Sequence, residues 1–204
     1  MKGNKQKLFW GIIILIGLAN TLQAIFTELI YDEAYYWYFS KQLDWGYFDH
    51  PPMVAAMIAL GQLLFKGTLG VRIIGVLSNL GAYLLIWNTV SKTHKNNHIG
   101  SFFVLVCSMT LLNAYGFFTL PDTPLLFFTA LLFYLLKSFF KKPNWVLSLS
   151  LGLVMAALMY SKYHAVLVVI GVIVGVPSLL KNKFAWGAVG VSLLAYSPHL
   201  LWLY

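Results

Sequence analysis

The adjacent carboxylates Asp32 and Glu33 open the run Tyr31-Asp32-Glu33-Ala34-Tyr35-Tyr36-Trp37-Tyr38-Phe39-Ser40-Lys41, and Trp45, Tyr47, Phe48, Asp49 and His50 follow closely. A base beside flat aromatic faces suits a hydroxyl-bearing substrate such as a sugar, which packs its C–H face on rings while a carboxylate takes a hydroxyl proton. The same residues also read as a short helix in the lipid headgroup layer, with Asp32 as its cap, Glu33 in its first turn and an aromatic belt around it. Asp122, between Pro121 and Thr123-Pro124, is either a turn and cap residue or a third functional acid. His94 and His98 have i, i+4 spacing in a basic loop and read as solvated. His164, beside Lys162, reads as edging a cavity, and His199 as a satisfied polar group. No Walker loop, dinucleotide fingerprint, zinc signature or Ser-His-Asp constellation is visible, which argues against a soluble nucleotide-sugar donor held by a Gly-rich loop.

The elements that must position these groups are membrane spans. Of 204 residues, 60% are hydrophobic, 17% aromatic and only 10% charged, and the mean hydropathy is +0.77. A soluble domain of this length carries roughly a quarter charged residues, and lipid satisfies no backbone polar group, so an all-α integral membrane protein is predicted. The net charge of +8 is too thinly spread for a nucleic-acid face. The single cysteine, Cys107, lies in an apolar run, so no internal disulfide forms.

One domain over 1–204 is expected, with spans at about 8–30, 71–91, 99–120, 123–140, 145–160, 165–180 and 184–204 and interfacial or re-entrant helices in an outer loop, 31–70. The first run follows Lys2, Lys5 and Lys7 but is too long, and lacks a cleavage site, for a signal peptide. Whether Pro51–Phe65 crosses is decided by positive charge. If it does not, Lys2, Lys5, Lys7, Lys92, Lys95, Lys137, Lys141, Lys142, Lys181 and Lys183 share one side. Only Lys41, Lys66, Arg72 and Lys162 face the other. Ten against four fits the positive-inside rule, and the crossing alternative reverses the excess. The non-crossing choice puts all six acids, Glu28, Asp32, Glu33, Asp44, Asp49 and Asp122, on the outer side. Acids contribute little to that rule, so their collection on one face points to a site. Gly171 and Gly175 form a small-xxx-small pair that reads as packing.

The motifs Asp32-Glu33-Ala34-Tyr35-Tyr36-Trp37 and Leu43-Asp44-Trp45-Gly46-Tyr47-Phe48-Asp49-His50-Pro51-Pro52 resemble the opening signature of family 39-type glycosyltransferases. That group includes protein O-mannosyltransferase-like enzymes and the transferases that add aminoarabinose to lipid A. Pro121-Asp122-Thr123-Pro124-Leu125-Leu126 is similar to the family's second outer-loop motif. Ser161-Lys162-Tyr163 with Ala165, and Ser197-Pro198-His199-Leu200-Leu201-Trp202, follow its usual course. The resemblance covers essentially the whole chain. It implies a GT-C-like bundle whose first seven spans form a shared module, and transfer of a sugar, with inversion, from a polyprenyl-phosphate carrier on the outer face of the membrane. The family usually continues beyond this point, so a C-terminal part is expected to be missing. His50 stands where the lipid A branch usually has lysine.

Under that resemblance Asp32 takes the place of the general base, with Glu33 raising its pKa or orienting the acceptor. Asp122 positions acceptor or donor hydroxyls. A departing phosphate needs cations; Lys162, Arg72 with its bidentate fork, and protonated His50 are the candidates, with Asp49, Tyr36 and Trp45 as further substrate contacts. A metal held by Asp49 and His50 is not indicated, and no cofactor is expected. The partners implied are membrane lipid, the polyprenyl-phosphate sugar and an acceptor lipid, glycan or protein. The location implied is a bacterial inner membrane, N-terminus cytoplasmic. Competing readings are a polytopic protein that binds or transports lipid-linked sugars, and an inactive truncated module. Transporters set ionisable groups near the midplane, whereas 8–27, 99–120 and 145–160 are free of acids and bases.

Overall fold

The computed structural model describes residues 2–90 and 99–204, so Lys92, His94, Lys95 and His98 lie outside the described residues. Those described fold into helices, without strands, as the composition predicts. The helices are α1 (Lys2–Phe26), α2 (Tyr31–Phe39), α3 (Met53–Leu64), α4 (Gly67–Thr89), α5 (Ile99–Ser108), α6 (Thr110–Ala114), α7 (Asp122–Phe139), α8 (Trp145–Ser161), α9 (Ala165–Gly175) and α10 (Lys183–Trp202). A 3₁₀ turn, Pro177–Lys181, joins the last two.

Among the described residues, α1, α4, α5 with α6, α7, α8, α9 and α10 run between the two ends of the bundle. Contacts fix both ends. At one, Lys137 at the end of α7 donates to the carbonyls of Asn88 and Thr89 at the end of α4 (2.8 and 3.0 Å), and Ser148 donates to Phe184 O (2.7 Å). At the other, Thr68 at the start of α4 donates to Ile25 O near the end of α1 (3.1 Å). Among the described residues, four helices are long and apolar enough to cross a membrane: Gln6–Phe26, Gly67–Thr89, Asp122–Phe139 and Lys183–Trp202. The other passes are made by shorter apolar helices.

The expected span 99–120 is not one helix. It breaks between Ser108 and Thr110, and Asn113 occupies the break, donating through Nδ2 to the carbonyls of Val106, Cys107 and Met109 (2.9–3.0 Å). A side-chain amide thus satisfies backbone acceptors that lipid would leave bare. Likewise 165–180 ends as an α-helix at Gly175, where Pro177 imposes the 3₁₀ turn. Gly171 and Gly175 face open space within the chain, so the expected close approach is absent there.

The ambiguous run is α3. Twelve residues rise about 18 Å at ~1.5 Å per residue, short of the ~30 Å hydrocarbon core. It doubles back on α4 through a turn closed by Gln62 Nε2 donating to Gly67 O (3.0 Å), with Gly67 at φ 68°. Side chains cannot fit between the two helices. A Cβ on Gly61 would lie 2.2 Å from Gly70 O, and one on Gly70 2.0 Å from Phe65 O.

On α4, Arg72, Gly75, Val76, Asn79, Ala82 and Tyr83 form a buried stripe at three- and four-residue spacing, and α4 packs on α1, α3 and α7. Three apolar clusters support the fold. Phe9, Ile13, Tyr83, Ile99 and Phe103 join α1, α4 and α5. Leu136, Phe139, Leu151, Leu158 and Ala188 join α7, α8 and α10. Tyr36, Val54, Ile58 and Val71 join α2, α3 and α4, directly beneath the acids.

Candidate active site

All six acids stand at the same end of the bundle, in or beside the connection from α1 to α4 and at the start of α7. A buried ion pair assembles that end. Arg72 donates through Nε and Nη2 to the two carboxylate oxygens of Glu33 (2.8 and 2.6 Å), and both side chains have no exposed surface. Its remaining donors close the end of α1, reaching the carbonyls of Ala24, Thr27 and Glu28 (2.6–3.3 Å). Glu33 accepts in addition from the amides of Ile30 (3.2 Å) and Thr119 (3.0 Å). Every lone-pair direction of Glu33 is therefore used. The last bond matters most, because Thr119 belongs to the connection from α6 to α7, 86 residues away.

These contacts revise two expectations. Arg72 turns its fork inward on Glu33 and the end of α1, so no part of it is exposed to meet a phosphate. Glu33 is likewise sealed, and it, not Asp32, makes the capping contact of α2, reaching back to Ile30 N from the first turn. Asp32 lies on the exposed side of α2, and its side chain makes no hydrogen bond or ion pair among the described residues. A carboxylate with free oxygens is what proton abstraction needs.

Around Asp32 the remaining residues form two linked groups. Lys162, just past α8, grips Asp122 at the start of α7 (Nζ to Oδ1 2.9 Å, to Oδ2 3.0 Å), each side chain 28% exposed. Asp49 accepts from the Tyr35 hydroxyl (3.0 Å) and faces His50 Nδ1 across 3.2 Å, and the same nitrogen lies 3.1 Å from the Tyr36 hydroxyl. His50 Nε2 has no protein partner. Burial pushes the Tyr36 hydroxyl well above its ordinary pKa, and the charges of Asp49, Asp32 and Asp122 push it the same way. One phenol thus lies within electrostatic reach of acids from two connections. The predicted residues Asp32, Tyr36, Asp49, His50, Asp122 and Lys162 are brought together.

A third group comes from the far end of the sequence. His199 of α10 is fully buried, with Nδ1 2.6 Å from Trp45 O and Nε2 3.2 Å from the Tyr163 hydroxyl. A carbonyl only accepts, so Nδ1 carries a proton, while Nε2 and the Tyr163 hydroxyl share a hydrogen bond. Trp202 stacks on His199 (centroids 6.0 Å apart, planes at 15°) and covers Gly46, where a Cβ would lie 2.5 Å from the indole. Tyr163 and the clasping role of His199 are absent from the sequence prediction. The residues joined are 154 and 36 positions apart, and no local spacing announces such a contact.

Among the described residues no three His, Cys, Asp or Glu side chains gather as a metal site. Apolar helices with carboxylates, a lysine and exposed aromatics gathered at one end make an all-α bundle of the membrane type. The profile of the family described as dolichyl-phosphate-mannose-protein mannosyltransferase matches residues 49–202, and the chain belongs to that family, within the GT-C glycosyltransferases. It is also 27% identical over 205 aligned positions, 94% of its length, to the lipid A galacturonosyltransferase RgtD of Rhizobium johnstonii. It spans less than half of that relative, 43%. No solved structure matches the chain.

Proposed function

We propose that the protein transfers a sugar from a polyprenyl-phosphate donor to a lipid acceptor at the outer face of the inner membrane, with inversion at the anomeric carbon. The observation that carries this reading is the exposed carboxylate of Asp32, without a side-chain partner among the described residues, which with Asp49 and Asp122 lies within electrostatic reach of the Tyr36 hydroxyl, while Lys162 holds Asp122. Asp32 takes the proton from the acceptor hydroxyl as its oxygen attacks the anomeric carbon from the face opposite the phosphate. The bond to the phosphate breaks with its electron pair, and cations stabilise the charge that develops there. Lys162 supplies one, exchanging an oxygen of Asp122 for one of phosphate. His50 supplies a hydrogen bond through Nε2. Asp122, once released, is free to orient a sugar hydroxyl. Glu33 and Arg72 hold the two outer connections in register, so Asp32 is aimed by a rigid frame.

The relative's name supports a lipid acceptor and a uronic acid donor, and the family description supports mannose. The excess of lysine at the opposite end supports a cytoplasmic N-terminus. The test is mass spectrometry of membrane lipids from cells with the gene, without it, and with Asp32→Asn. A sugar-bearing lipid present only with the intact gene supports the reading. Its persistence in the Asp32→Asn cells removes Asp32 as the base, and identical lipids in all three remove the transferase.

A further inference from the structure

We propose that His199 is a positioning residue for sugar recognition: its two ring nitrogens hold Trp45 and Tyr163 as an aromatic cradle for the sugar ring beside Asp49 and Asp122. The inference rests on the transferase reading above and names the part of the site that meets the sugar rather than its phosphate.

The Trp45 main chain is fixed through its carbonyl and the Tyr163 hydroxyl is fixed through His199 Nε2. Yet Trp45 is 55% exposed and Tyr163 39% exposed. The Tyr163 ring is therefore anchored at its hydroxyl, and Trp45 is anchored at its backbone while its indole lies 6.3 Å from the Tyr160 ring; each keeps exposed aromatic surface. The cost of ordering these rings has been met in the fold, which is the condition under which stacking contributes to affinity. One imidazole thus holds the Trp45 main chain and the Tyr163 hydroxyl, and the Tyr163 ring lies 5.8 Å from the imidazole.

Two contacts place the cradle next to the acids. Tyr163 directly follows Lys162, whose ammonium holds Asp122. The Tyr163 hydroxyl, besides being raised by burial, is raised by the charge of Asp49. A sugar stacked there meets carboxylates at its hydroxyl edge and aromatic rings at its C–H face, the arrangement that an amphipathic ring requires. His199 supports this without touching ligand. It is fully buried, enclosed by Tyr160, Tyr196 and Trp202, and both its ring nitrogens are spent on the two cradle residues.

The test measures binding of two probes to the full chain in nanodiscs: dolichyl-phosphate mannose, and dolichyl phosphate lacking the sugar. Polyprenyl-phosphate galacturonic acid replaces the first if mannose is not the bound sugar. The variants are Trp45→Ala, Tyr163→Phe and His199→Asn. The last retains a donor for Trp45 O and loses the link to Tyr163. Tyr163→Phe removes a single hydroxyl, and so reports even if His199→Asn fails to fold. The expected result is about a tenfold loss of the preference for the sugar-bearing lipid over the bare phosphate in each variant, with bare-phosphate affinity within twofold of wild type. Preference unchanged in Tyr163→Phe and His199→Asn overturns the proposal. An equal loss for both lipids also overturns it, because that is the signature of a merely structural histidine. Wild-type protein that binds neither sugar-bearing lipid overturns the transferase reading itself.

Discussion

At the residue scale, Asp32 and Glu33 are neighbours with opposite fates. One turn of helix directs Glu33 into the bundle, where Arg72 and two backbone amides saturate it, and leaves Asp32 outside with free oxygens. Breaking a buried ion pair from one side leaves an uncompensated charge and costs about 3–5 kcal/mol. Glu33→Gln and Arg72→Met are therefore expected to lower the unfolding temperature in detergent sharply, and the double variant to recover part of the loss. Asp32→Asn is expected to leave that temperature unchanged while removing transfer. The phenols give a pH signature. Tyr35, Tyr36, Tyr47 and Tyr163 all have raised pKa values in the fold, burial being the first cause. A raised value contributes stability below the unfolded value of about 10, and that stability is lost as the pH rises through it. Unfolding temperature is accordingly expected to fall above about pH 10, less steeply in Tyr36→Phe, followed together with tyrosinate absorbance.

At the element scale, the decisive feature is how little room separates the pieces. The α3–α4 turn brings Gly61 and Gly70 backbone to backbone, and neither neighbour can yield, because the clashing atoms are carbonyl oxygens. Gly70→Ala is expected to cost about 1–3 kcal/mol, read as a lower melting temperature and poorer monodispersity in detergent. The break after α5 invites the converse change. Asn113→Leu keeps volume but removes the side-chain donor from three carbonyls, of which those of Val106 and Met109 still accept from a backbone amide, and a net hydrogen bond contributes about 1 kcal/mol. Loss of stability without loss of membrane insertion is expected, measured by thermal melting of the inserted fraction. A straight α5 continuous through residue 109 in an experimental structure of that variant would show that Asn113 maintains the break.

At the scale of the whole molecule, seven passes put the acids and most of the lysines at opposite ends. Cysteines introduced at 44 and at 142, in a Cys107→Ala background, are expected to label from opposite sides of the membrane with an impermeant maleimide. Labelling of both from one side would mean the bundle is threaded differently.

Much of this was legible in the chain. Apolar runs set the helices because lipid leaves a backbone no other way to satisfy its hydrogen bonds. The lysine count read α3 as a segment that does not cross, and α3 is a short helix of twelve residues; Asp32, Asp49, Asp122 and Lys162 stood out as polar groups. Tertiary structure alone decided which polar groups are spent on each other. Arg72 and Glu33 are 39 residues apart, and His199 and Trp45 are 154 apart. Whether a charged or hydrogen-bonding side chain faces a ligand or a partner depends on distances in space that local periodicity does not encode.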